Sequence, residues 1–285
     1  MEWEKAKNIV MVLLLILNIS LCGLQLAQNS RNELSETEQQ AAEQVLSERG
    51  MTLACDWLTD YAPLRELAVT IPAMEPEAWR ERVFAAGDTV TMQVDFDRSF
   101  LRSETATLML ADNQISLLLA GSGPVVPFTE ENARRAAESF LQGLASGEGT
   151  LYLGRVEAGV ERYELTYYKM YKGYPLFDCS RTVTVTPRGV TYCTAAYYES
   201  QGFLGGRQAI CTAAEALMTL CYGLEAAGET GPYVVEEISL GYALLEERQV
   251  ETGNTLTMTP CYLVRLQGRE SPYLIQAYTN TLLSP

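Results

Sequence analysis

Residues 162–198 read RYELTYYKMYKGYPLFDCSRTVTVTPRGVTYCTAAYY. Aromatic and β-branched residues fill the stretch, and two turn signals, Lys172-Gly173 and Pro187-Arg188-Gly189, divide it. Branched and aromatic side chains suit a pleated, half-buried surface, while Gly and Pro supply the backbone angles that reverse a chain. The spacing therefore predicts strands over 162–171, 174–185 and 190–198, joined as an antiparallel meander. A further strand is expected over 151–156. Just upstream, Thr129 caps a predicted helix that runs to 144, and Gly147 to Gly149 end it.

The plan recurs on the C-terminal side. Thr212 and Glu215 form a capping box that opens a helix to about 227, followed by strands near 234–246, 256–267 and 273–278. Nearer the N-terminus, Ser35 and Glu38 form another capping box, for a helix to 49 that Gly50 stops. Strands are expected near 51–57 and 67–71, and Pro76 suits the first turn of a helix ending before Gly87. Strands near 89–96, 105–110 and 115–119 follow, the last two joined at Asp112-Asn113. Strands come in runs rather than alternating with helices, so the expected fold class is α+β, with helices packed on antiparallel β-meander sheets.

Composition narrows the function. The 285 residues include 36 Asp plus Glu against 21 Lys plus Arg, a formal charge of −15. That field repels phosphate backbones, so no nucleic-acid partner is expected. Histidine is absent, which removes Ser-His and Cys-His nucleophile pairs and His-ligated metal or haem sites. No cofactor and no metal are expected.

Residues 9–26, IVMVLLLILNISLCGLQL, carry no charge. As a helix they span about 27 Å, close to the hydrocarbon thickness of a bilayer. Lys5 and Lys7 lie before this run and only Arg31 lies close behind it. The positive-inside rule then places residues 1–8 in the cytoplasm, a transmembrane helix over 9–26, and the rest outside the cell membrane. The expected organisation continues as a helical stalk over 27–50, a first exterior α+β region over 51–120, a second over 129–200, and a C-terminal helix plus β-meander over 208–285. Asn18, Cys22 and Gln25 fall at i, i+4 and i+7, one stripe of that helix. An amide in hydrocarbon is costly without a hydrogen-bond partner, so these three residues are expected to contact a partner helix.

Several stretches together resemble the YycI family. They are Met1-Glu2-Trp3-Glu4-Lys5-Ala6-Lys7-Asn8-Ile9 running into Leu15-Ile16-Leu17-Asn18, the hairpin Gly173-Tyr174-Pro175-Leu176-Phe177, and Ile238-Ser239-Leu240-Gly241-Tyr242. Thr259-Pro260-Cys261-Tyr262 and Tyr273-Leu274-Ile275-Gln276-Ala277 complete the set. That family consists of membrane-anchored accessory proteins of the YycFG (WalRK) two-component system. The resemblance implies a regulatory subunit, not an enzyme, whose partners are a sensor histidine kinase and a YycH-like protein in a hetero-oligomer, with cell-wall metabolism as the output. Two other readings are an extracellular ligand- or peptide-binding module on a PepSY-like plan and a tethered wall-active hydrolase. The cysteine content and the richness in tyrosine depart from the family, so its partner surface does not carry over.

Other candidate groups have simpler readings. Six cysteines lie beyond residue 26: Cys55, Cys179, Cys193, Cys211, Cys221 and Cys261. With the hairpin turning at Pro187-Arg188 or Arg188-Gly189, Cys179 and Cys193 are expected on opposite sheet faces, which precludes a bridge. Most of the six read as small buried hydrophobes. Paired acids occur at Glu130-Glu131, Glu236-Glu237, Glu246-Glu247 and Asp95-x-Asp97. A glycosidase needs two carboxylates in one cleft, but Glu130-Glu131 suits a helix N-terminus and Asp95 and Asp97 suit a solvated strand face. The tyrosines at 163, 167, 168, 171 and 174 read as strand packing.

Overall fold

The computed structural model describes Leu14 and residues 33–144, 149–245 and 255–283. Four helices lie among them: α1 (Glu36–Glu48), α2 (Pro76–Val83), α3 (Glu130–Leu144) and α4 (Ala213–Ala226). Fifteen strands accompany them. These are β1 (Met51–Leu53), β2 (Leu64–Thr70), β3 (Thr91–Asp95), β4 (Arg98–Arg102), β5 (Ala106–Ala111), β6 (Gln114–Leu119), β7 (Leu151–Gly159) and β8 (Arg162–Tyr171). The rest are β9 (Tyr174–Thr186), β10 (Gly189–Ala196), β11 (Glu199–Gln208), β12 (Tyr233–Leu244), β13 (Thr255–Leu266), β14 (Tyr273–Gln276) and β15 (Thr281–Leu283).

The expected fold class needs correction. The described residues are 48% strand and 21% helix, and the strands form one large mixed sheet, in which parallel pairs join the antiparallel runs, rather than separate meander sheets in an α+β plan. Parallel pairs join β1 to β12 at Met51↔Tyr233 and β12 to β9 at Tyr242↔Leu176. These partners lie tens to hundreds of residues apart, so no local turn signal announces them. Among the described residues no helix is long and apolar enough to cross a membrane. The predicted transmembrane helix over 9–26 lies outside the described residues, Leu14 excepted.

The chain divides into two compact units. One comprises Met1–Leu64, Gly206–Ser239 and Tyr262–Pro285. Both of its described helices start on the capping boxes read from sequence: the Ser35 and Thr212 hydroxyls accept from the backbone N–H of Glu38 and Glu215, whose carboxylates accept in return from the cap N–H groups. α4 buries Ala216, Leu217, Leu220, Cys221 and Leu224. The Cys221 thiol lies 3.6 Å from the Met51 sulfur. The Tyr262 hydroxyl donates to the Cys211 carbonyl at 2.6 Å, and Arg265 pairs with Glu237 at 3.2 Å.

The other unit, Arg65–Gly205 with Leu240–Cys261, holds most of the sheet. Its strand order is β11-β2-β13-β12-β9-β10-β6-β5-β4-β3, with β8 and then β7 on the other edge of β9. Residue-by-residue pairing gives a continuous cross-strand row on one face: Met92, Leu101, Leu108, Leu117, Cys193, Val183, Leu165 and Val156. A parallel row on the same face reads Val94, Ser99, Leu110, Ile115, Ala195, Arg181, Tyr167 and Leu153. α3 lays Ala133, Ala137, Leu141 and Leu144 onto this face, and Trp79 of α2 joins the same core. Because strand side chains alternate, the two rows carry the apolar residues inward while their neighbours face out.

The register of β9 and β10 overturns the expectation for Cys179 and Cys193. The turn is Pro187-Arg188, but Thr191 is left over as a bulge, so Cys193 faces Val183. One extra residue shifts the parity of every pair beyond it. Cys179 lies four residues from Val183 on the same strand, so both thiols point to one face, about 13 Å apart along it. Distance, not face, keeps them apart. All six cysteines among the described residues are unbridged.

Candidate functional site

A cleft of about 350 Å³ opens between α3 and the β7-β8-β9 end of the sheet. Glu138 and Gln142 of α3 and Thr150 stand at its exposed mouth, while Leu153, Tyr167 and Arg181 line it from the sheet. Sequence alternation puts these groups there. Cys179, Arg181, Val183 and Val185 of β9 point inward together, and all are buried. Arg181 is therefore a cation in an otherwise apolar row, 1% exposed. Such burial is tolerated only where charge and π-density compensate the lost hydration. The guanidinium lies 5.1 Å from the centre of the Tyr197 ring.

Tyr167 faces Arg181 across the β8–β9 pair. Its hydroxyl makes no hydrogen bond among the described residues. Burial pushes this phenol well above its usual range, Glu138 reinforces the shift, and Arg134 partly offsets it. Glu138 itself pairs with Arg134 at 3.4 Å, one turn back on the helix. Tyr167 is thus held as a neutral donor. A buried donor without an acceptor costs about 1–3 kcal/mol, which a bound carbonyl or carboxylate would recover. The cleft combines apolar walls, a neutral donor, a buried cation and a carboxylate at the mouth, a set suited to holding a small amphipathic group.

The sequence-predicted contact residues Asn18, Cys22 and Gln25 lie outside the described residues. The paired acids do not converge. Glu130 and Glu131 stand in the first turn of α3, where Glu131 pairs with Arg135; Glu237 is held by Arg265; Asp95 ends β3 while Asp97 sits in the following turn. Glu246 and Glu247 lie outside the described residues. Of the tyrosines, Tyr167 and Tyr168 are buried and the others half-buried, with edge-on contacts Tyr168–Phe177 and Tyr174–Tyr242. Sequence reading passed over Arg181 and Glu138. The signal for Arg181 was present: a charged residue on the inward side of an alternating strand.

No family model matches the chain, and no curated protein matches it. Among solved structures, the chain is similar to an uncharacterized protein from Eubacterium rectale ATCC 33656, with a TM-score of 0.55 at 12% identity, covering 83% of this chain and 91% of that one. That likeness is one of fold. The Bacillus megaterium YpeB C-terminal domain also matches, with a TM-score of 0.42 at 9% identity over 74% of this chain and 96% of that domain.

Proposed function

We propose that the chain is a non-enzymatic binding module whose cleft beneath α3 receives a short segment of a partner. The observation that carries this reading is the buried Tyr167–Arg181 pair at the base of a walled cleft, which offers recognition groups but no nucleophile with an attendant base. The finer reading is that the partner is a sensor histidine kinase, acting with a YycH-like protein, whose signalling the module adjusts. Its support is the YycI-like stretches in the sequence; the uncharged run over 9–26 is the basis for an extracytoplasmic location.

Both halves can be tested on the full chain. Tagged protein should co-purify with a membrane histidine kinase from the native membrane. Gln142→Trp, an exposed change at the mouth of the cleft, should reduce that capture at least tenfold while leaving the far-UV spectrum and melting temperature unchanged. Capture undiminished by Gln142→Trp would remove the cleft from the reading, and absence of any kinase would remove the finer partner assignment.

A further inference from the structure

The inward face of the sheet runs out of cover at β3. Met92 continues the row of Leu101, Leu108 and Leu117, yet it is 54% exposed, and its same-face neighbour Val94 is 63% exposed. Phe96, in the turn that follows, is fully exposed with a positive φ of 55°, a conformation that a bulky residue adopts only under constraint. β3 also ends the strand order, so its outer edge carries no strand among the described residues. An open edge beside an uncovered apolar face is a template for another strand.

The residues of β3 indicate which strand. Thr91-Met92-Gln93-Val94-Asp95 is self-complementary when laid antiparallel against itself about Gln93. Met92 then meets Val94 of the second copy on the inner face, in both directions. On the outer face Gln93 meets Gln93, and Thr91 meets Asp95. Charge agrees as well. Arg102 pairs with Thr91 within one copy, and Asp95 with Arg98, so the outer row across the seam would read Arg102, Thr91, Asp95, Arg98. That sets Arg102 of one copy two strand spacings, about 10 Å, from Asp95 of the other, within reach of an arginine side chain. No like charges face each other. We infer that β3 is a homodimer edge: two copies of this chain join antiparallel through residues 91–95, extending both sheets and packing Met92 of each copy against Val94 of the other. Such an isologous contact closes on itself and uses up the β3 edge of both copies.

Sedimentation equilibrium of the full chain, with the same detergent in every sample, tests this. The wild type should show a monomer–dimer equilibrium, and Val94→Lys should raise the dissociation constant at least tenfold. Register is read at the two-fold axis. Gln93→Lys alone and Gln93→Glu alone each place like charges face to face and should weaken the dimer, while a 1:1 mixture of the two should restore it to at least the wild-type level. A wild type that stays monomeric throughout, a dimer indifferent to Val94→Lys, or a mixture no tighter than its components would each overturn the assignment.

Discussion

The cross-strand row from Met92 to Val156 turns burial into a graded prediction. Leu117 is 1% exposed near the middle of that row, flanked by Leu108 and Cys193. Leu117→Ala deletes buried carbons from a site closed on both sides, so the loss combines transfer free energy with a residual cavity, about 3 kcal/mol within a usual range of about 2–5. Met92 stands in the same row but is about half exposed, and full burial of such a side chain is worth roughly 1.5–3 kcal/mol. Met92→Ala should therefore cost about 1 kcal/mol or less. Urea unfolding followed by Trp79 emission reports the right unit, because Trp79 is buried in the same core as Leu117; Trp3→Phe and Trp57→Phe remove the other two tryptophans. With a slope near 2–3 kcal/mol per molar, the midpoint should fall by about 1–1.5 M for Leu117→Ala and by less than about 0.5 M for Met92→Ala. The comparison belongs at protein concentrations where all variants have the same oligomeric state. A Leu117→Ala shift no larger than that of Met92→Ala would refute the idea that helix cover, rather than the row itself, sets the energetics.

Three further outcomes are expected. Burial pushes the Cys179 and Cys193 thiols up to about 12 from an ordinary 9, so the folded state retains protons that the unfolded state loses. Their contribution is intact below pH 9 and is lost as pH rises towards 12, at about 1.4 kcal/mol per pH unit for each thiol; Cys193→Ala should flatten the alkaline decline in unfolding free energy, and an unchanged slope would contradict the assignment. Thr212→Ala removes an N-cap and should cost about 1 kcal/mol, with faster amide exchange in the first turn of α4 than elsewhere. At Gly241 an added Cβ would collide with the Pro175 carbonyl oxygen and lie 2.7 Å from the Phe177 ring, so Gly241→Ala should destabilise by about 1–3 kcal/mol or more, and a melting temperature within 1–2 °C of wild type would show that β9 and β12 do not approach closely there.

What the sequence made legible is what short-range chemistry determines. The Ser35 and Thr212 capping boxes were readable because both partners lie within three residues. So were the turns at Asp112-Asn113, Lys172-Gly173 and Pro187-Arg188, whose residue types select the backbone angles. β4 was missed because its turn is Phe96-Asp97, which offers no Gly or Asn at the positive-φ position. β11 was missed because Glu199–Gln208 contains three glycines and is mostly exposed, so it lacks the composition of a strand and is one only through its neighbour β2. The parallel pairings of β12 depend on residues far away in the chain. The Thr191 bulge changes which face Cys179 shares by a single uncompensated residue, a detail no composition rule contains. For the candidate cleft, Tyr167 was visible as a packing residue, but its pairing with Arg181 became visible only once the β8–β9 register was known.

One geometric fact ties the cleft to the open edge. Both lie on the inner face of the same sheet, and the row that passes through Val94 at one end passes through Arg181 and Tyr167 towards the other. In between, Leu110, Ile115 and Ala195 are sealed within the core that α2 and α3 share. A sheet face wider than the helices that cover it must end in exposed apolar area or in groups that tolerate solvent and ligands. At the β7–β9 end the row changes chemistry, substituting a buried cation and a phenol for aliphatic side chains, and a cleft results. At the β3 end the two rows finish in the apolar side chains Met92 and Val94, both exposed. The two ends are therefore suited to different occupants: a small group with a hydrogen-bond acceptor at the first, and another strand with its own apolar face at the second. A strand added at β3 joins the sheet far along the strand order from β7 and β8, so occupancy of the two sites should be independent. Partner capture measured with Val94→Lys should match that of wild type, and a large loss would mean that the edge and the cleft serve one and the same contact.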